Sequence, residues 1–180
     1  MNTKEVFELS PQTLALLPYQ YGSKSFTRAL VVGDELQVAC RPIEVVKRGC
    51  AYFGSSYEGR KAGTRQLTGI THKAPIAVDP TNEIFLFPTL SPTREECAWI
   101  AHDHVAHFSS PIAGETEILF RDGQSVILPI SDAVIENQML RTSFLRTKLA
   151  QRISEPSRGY YMMIDPKQRK MNEHSGRQFR

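Results

Sequence analysis

The 180-residue chain reads as an α+β domain, with a largely antiparallel β-sheet or open barrel-like core followed by one long C-terminal amphipathic helix. Two observations carry this. Up to about residue 130, short β-compatible runs alternate with Gly, Pro and Asn turn signals. From Asp132 the apolar residues switch to a helical period and keep it to about Ile153. Strands followed by a helix, without repeating strand–helix units, indicate α+β. The length suits one domain with a real core. The expected boundaries are a single domain over 1–156 and a basic tail over 157–180.

Each element has its own signal. Thr13–Leu17, Thr27–Val32 and Glu35–Ala39 read as strands, the last two joined by a tight turn at Gly33-Asp34. Ile43–Lys47 and Ala51–Phe53 read as two more, each closed by Gly or a turn former. Phe53–Thr64 reads as a glycine-rich loop, and Arg65–Thr71 as a weakly alternating run. Pro75–Asp79 and Ile84–Pro88 flank the turn signal Pro80-Thr81-Asn82. Trp99–Phe108 alternates in part. Glu117–Phe120 and Ser125–Ile130 form the clearest hairpin, with Asp122-Gly123 at its turn. Ser131 or Asp132 is placed to cap the helix, whose face carries Ile135, Met139, Leu149 and Ile153. Pro156 ends it. Tyr160–Ile164 is then a short apolar patch before the polar stretch Lys167–Arg180.

Composition excludes several classes. Met1–Ser10 has no apolar run of signal-peptide length, and no segment reaches the roughly 20 apolar residues that span a bilayer. Cys40, Cys50 and Cys97 are odd in number and widely spaced, which argues against a disulfide framework and for a reducing cytoplasm. The net charge of +3 conceals a strong asymmetry. Residues 41–73 carry 7 basic and 2 acidic side chains, and residues 137–180 carry 10 and 3; residues 74–136 between them carry 2 and 10. If folding unites the basic blocks, the molecule gains a cationic face suited to a polyanion. The plain alternative is solvated surface.

The candidate chemistry centres on Phe53–Thr64. Gly54, Gly59 and Gly63 let a backbone turn and approach a partner, while Ser55, Ser56 and Thr64 offer hydroxyls and Arg60-Lys61 offer charge. The spacing only superficially resembles a nucleotide-binding P-loop, because Arg60 follows the second Gly and Gly63 comes where the motif needs a helix. A loop without any ligand is the bland alternative. His102, His104 and His107 invite a metal, yet no zinc-type spacing supports one, and no cofactor is expected. No nucleophile elbow or Ser-His-Asp arrangement can be argued. On the helix, Arg141, Lys148 and Arg152 fall within an arc of roughly 40°, a ridge suited to phosphates. Arg146 lies toward the apolar face, where its stem packs and its charge pairs with a carboxylate.

The segment from Cys50 to Thr64 resembles the signature of the ComK family of competence transcription factors. Ile70–Pro80, Ile84–Ser91, Glu136-Asn137-Gln138, Arg141-Thr142 and Leu145-Arg146-Thr147-Lys148 follow in order, so the resemblance covers about Pro42 to Ile153. It implies a cytoplasmic, nucleoid-associated activator, not an enzyme. Such proteins bind paired A/T-rich boxes as oligomers, largely through the minor groove, and favour RNA polymerase binding. The expected contacts are Ser55, Ser56, Arg60, Lys61, Thr64, Arg65 and Lys73 in one region, and Arg141, Lys148 and Arg152 in another. The resemblance also implies a MecA-type Clp adaptor acting on a C-terminal segment, here Met162, Met163, Ile164, Pro166 and Lys167. The rival from another class is an enzyme or binding protein for a phosphorylated small molecule at Gly54–Thr64. A second rival is an interaction protein whose basic patches meet an acidic partner.

Overall fold

A computed structural model of the protein describes residues 3–4 and 7–154. The chain divides into two compact units, Met1–Arg146 and Thr147–Arg180. Of the second, only the last turns of the C-terminal helix lie within the described residues. The expected tail, with Tyr160–Ile164 and the adaptor segment Met162–Lys167, lies outside them.

The architecture is α+β. β1 (Thr3–Lys4), β2 (Thr13–Tyr21), β3 (Lys24–Val31) and β4 (Asp34–Val38) are followed by helices α1 (Pro42–Tyr52) and α2 (Tyr57–Thr68). β5 (Ile76–Asp79), β6 (Ile84–Pro88) and β7 (Trp99–Ala101) lead into a 3₁₀ turn (His102–His104). β8 (Val105–Ser109), β9 (Thr116–Phe120), β10 (Ser125–Leu128) and helix α3 (Asp132–Ser154) complete the order. Seven strands form one sheet in the order β1-β4-β3-β2-β7-β6-β5, and β10-β9-β8 form a second. All pairings are antiparallel except β1 with β4. The core is therefore two open sheets.

The strands β5, β6 and β7 and the first half of β2 are buried on both faces, and alternation assigns the side chains of the large sheet to two clusters. Leu16, Leu86 and Trp99 face Val45, Val46, Cys50 and Tyr57 of α1 and α2. Leu14, Phe87 and Ile100 face Ile118 and Phe120 of the small sheet and Ile135 of α3. Two glycine turns join the sheets. Gly33 between β3 and β4 has φ 71°, and Gly123 between β9 and β10 has φ 92°. The Gly33 N–H donates to Asp122 Oδ2 at 3.1 Å, and Gln124 Nε2 donates to the Val31 carbonyl at 2.7 Å.

Helices replace four expected strands, loops or runs. Ile43–Lys47 and Ala51–Phe53 are not strands; they belong to α1 or close it. Pro42 starts α1, where its missing N–H costs nothing. The buried Leu9 side chain seats directly over Gly49, where a Cβ would meet it at 2.4 Å. Most of the expected glycine loop and the Arg65–Thr71 run form α2. Trp99–Phe108 is not continuous either: the 3₁₀ turn carries the chain from one sheet to the other. His102 and His104 lie in that turn and not on a strand.

The buried residues of α3 are Ile135, Gln138, Thr142 and Leu145, so half of its inner face is polar. Of the expected apolar face, Ile135 is fully buried, Met139 is partly buried and Ile153 is exposed. Gln138 makes a polar interior position tenable. Its Nε2 donates to the carbonyls of Lys73 and Pro88, and Thr142 Oγ1 donates to the Gln138 carbonyl.

Candidate nucleic-acid interface

α2 turns the sequence signature into a surface with two sides. Ser56 caps it, with extended backbone and its Oγ accepting the Gly59 N–H at 3.0 Å. Gly69 closes it in the left-handed conformation at φ 76°, its N–H donating to the Arg65 carbonyl at 2.8 Å. Tyr57 and Thr64 face the core. Glu58, Lys61, Ala62 and Arg65, spaced i, i+3, i+4 and i+7, form one outward stripe.

The stripe borders two grooves. One, of about 290 Å³, runs between α2 and α1 and is lined by Arg41, Lys47, Glu58, Lys61 and Lys73, together with Thr71. The other, of about 310 Å³, is lined by Glu58, Lys61, Ala62, Arg65, Ile70 and Thr71. Glu58, Lys61 and Thr71 border both, so the two are lobes of one cationic track. Arg41, Lys61, Arg65 and Lys73 have no ion pair among the described residues. Lys47 alone is partnered, by Glu44 on its own helix. Four cations converging without carboxylate partners are what a phosphate-bearing polymer neutralises.

The expected contact residues separate. Lys61 and Arg65 are exposed and line the track, and Lys73, half-buried with φ 47°, lines it from the turn before β5. Arg60 does not share their face. About 100° round the helix from Lys61, it is half-buried, and its buried Nε has no protein partner. Its charge bears on Cys50, where burial nonetheless pushes the thiol up to about 11. Thr64 is buried and unsuited to phosphate: its Oγ1 donates to the Pro75 carbonyl at 2.8 Å, stapling α2 to the approach to β5. Ser56 is exposed but serves the cap, and Ser55 is half-buried between the helices.

Arg141 links α3 to the same region. It donates to Gln138 Oε1 at 3.0 Å and to the His72 carbonyl at 2.6 Å, and desolvation lowers its pKa. Its first task is thus to hold the turn that carries Lys73. Lys148 and Arg152 lie on the last turns of α3, in the second unit. Arg41, just before α1, and Lys47 of α1 join the track without having carried any motif. Their signal was only the positive charge of residues 41–73.

Arg146 is the opposite case. It pairs with Glu83 and Asp103, and it lies 5.2 Å from the Phe85 ring centroid. His102 Nδ1 contacts Arg146 Nη1 at 3.2 Å and its Nε2 contacts Ser143 Oγ at 2.9 Å, while His104 Nε2 meets the Pro11 carbonyl. No cluster that could hold a metal ion occurs among the described residues, nor any helix long and apolar enough to cross a membrane. A larger cavity of about 430 Å³ lies along β2 and the end of β10. Its walls are mainly apolar, with Arg28, Glu95 and Glu96 as the charged residues of the lining.

Fold and track together define a class: an α+β protein with a track of exposed and half-buried cations along α2. Comparison with known proteins narrows it. The family model of the ComK protein matches residues 4–154. The chain is 44% identical over 167 residues to the competence transcription factor of Bacillus subtilis (strain 168), covering 92% of this chain and 87% of that one. The chain belongs to the ComK family, and that relative is a transcription factor, not an enzyme. No solved structure matches the chain.

Proposed function

We propose that the protein is a DNA-binding transcriptional activator of competence genes, and that the α1–α2 track is its principal DNA contact. The observation that carries this is the convergence of Arg41, Lys61, Arg65 and Lys73 without ion-pair partners, within a family whose Bacillus relative is a competence transcription factor. The targets in this reading are A/T-rich boxes, bound by the protein as an oligomer that favours RNA polymerase binding. Recognition by a MecA-type adaptor through Met162–Lys167 belongs to the same reading.

The helix changes how a minor groove would be read. With side chains, an α-helix is about 10–12 Å across, whereas the minor groove of B-DNA is about 6 Å wide. α2 cannot enter as a slim loop would. It lies across the flanking phosphates, and Lys61 and Arg65 reach inward to the negative potential that A/T-rich sequence concentrates there.

The test is a titration against an A/T-box duplex, a G/C-substituted control and an inosine–cytosine version, from about 50 to about 200 mM salt. Inosine–cytosine pairs keep the A/T-like minor groove and alter the major one. Binding that weakens steeply with salt, prefers the A/T box and survives inosine is expected. Loss on inosine substitution would move the reading to the major groove. Indifference to salt and composition would end the DNA assignment. Stabilisation by sugar phosphates or nucleotides in a melting screen would favour the small-molecule rival.

A further inference from the structure

One charge in the track opposes its partner. Glu58 is exposed, sits in the first turn of α2, and borders both lobes. It forms no ion pair among the described residues, although Lys61 shares both lobes with it. A carboxylate in the first turn favours a helix, but that role is served by any outward direction. Here the stripe it shares with Lys61 and Arg65 sets it on the polyanion's path.

Resting on the DNA reading above, we propose that Glu58 is a specificity-determining residue, dividing the track so that phosphates seat in the two lobes and not at their junction. Phosphate contacts fix the register of a protein on a duplex without reading bases. A uniformly cationic track would accept a backbone in any register and so raise non-specific affinity. A carboxylate at the junction repels phosphates within a few ångströms, where salt screens weakly. Duplexes whose groove width places phosphates in both lobes avoid it; others do not.

Glu58→Gln removes the charge and keeps the shape, and Glu58→Asp keeps the charge. Affinity would be measured for the A/T box and the G/C control at fixed salt, with melting curves confirming the fold. With Gln, affinity for the control is expected to rise about tenfold and for the box only about twofold, so that discrimination falls about fivefold. Asp should preserve discrimination. A helix-stabilising role alone would lower the melting temperature with Gln and leave the affinity ratio where it was. If wild-type protein discriminates while Gln leaves the ratio unchanged, the Glu58 proposal is overturned and the DNA reading stands. If wild-type protein shows neither salt dependence nor preference, both fall.

Discussion

The α1–α2 track and the Arg146 clamp are both cationic, yet their charges are held for different ends. Around α2, Arg41, Lys61, Arg65 and Lys73 converge on shared lobes, and none has an ion pair among the described residues. At the clamp, one guanidinium is met by Glu83, Asp103, His102 and the face of Phe85. A count of basic residues ranks both segments as candidate DNA contacts. Partnering separates them: a cation already neutralised within the fold has little to offer phosphate, while clustered unpaired cations repel one another until an anion arrives.

The largest expected effect tests the open side of this comparison. Lys61→Ala with Arg65→Ala should weaken binding to the A/T box about a hundredfold, or about 3 kcal/mol. The slope of log affinity against log salt should fall by about 2, because two phosphate contacts are lost. The melting temperature should barely move, since both side chains are exposed. A large drop in melting temperature with an unchanged slope would reverse the assignment of the two regions.

The clamp should respond the other way. Arg146→Met keeps the stem over Phe85 and releases the half-exposed Glu83 and Asp103 to solvent, so stability should fall by about 1 kcal/mol. The salt slope of DNA binding should stay put. His102 gives this region its pH dependence. Burial, reinforced by the Arg146 charge, lowers its pKa below the ordinary 6.5. The folded state therefore binds fewer protons than the unfolded state at intermediate pH, and stability rises with pH there. The contribution is complete above about pH 6.5 and declines as pH falls from there toward the lowered value. Denaturant melts from about pH 8 down to about pH 5.5 should show this decline in wild type and a flatter profile in His102→Gln.

How far the sequence could be read follows from which residues carry local signals. The β9–β10 hairpin was legible because Gly123, after Asp122, takes the positive φ its turn demands. The β3–β4 turn was legible through Gly33 for the same reason. α1 was not, because Ile43, Val45 and Val46 are β-branched and their strand preference outweighed the helix-start cue of Pro42. α2 was hidden by Gly59 and Gly63, which punctuate any propensity reading, although Ser56 and Gly69 bracket it as caps. Charge alone pointed to Lys61, Arg65 and Lys73, and the fold sets all three along the track. Arg60 and Thr64 were drawn in by adjacency, and only helical phase shows that they turn inward. The approach of α1 to the track depends on long-range packing, so Arg41 and Lys47 had no local signature.

The smallest effect probes the boundary between fold and function within α2. A Cβ at Gly59 would come within 2.9 Å of Ser56 Oγ, so this glycine belongs to the cap. Gly63 has no such reason: a Cβ there meets nothing within 4 Å, and its φ is not positive. Helix propensity alone predicts that Gly63→Ala stabilises the protein by about 0.5–1 kcal/mol. A melting temperature that rises with DNA affinity unchanged would make Gly63 a dispensable weakness in the helix. A rise accompanied by weaker binding would show that the missing side chain leaves room for the DNA backbone, and would extend the contact surface beyond the Lys61–Arg65 stripe. A fall in melting temperature would contradict the helical environment described for this position.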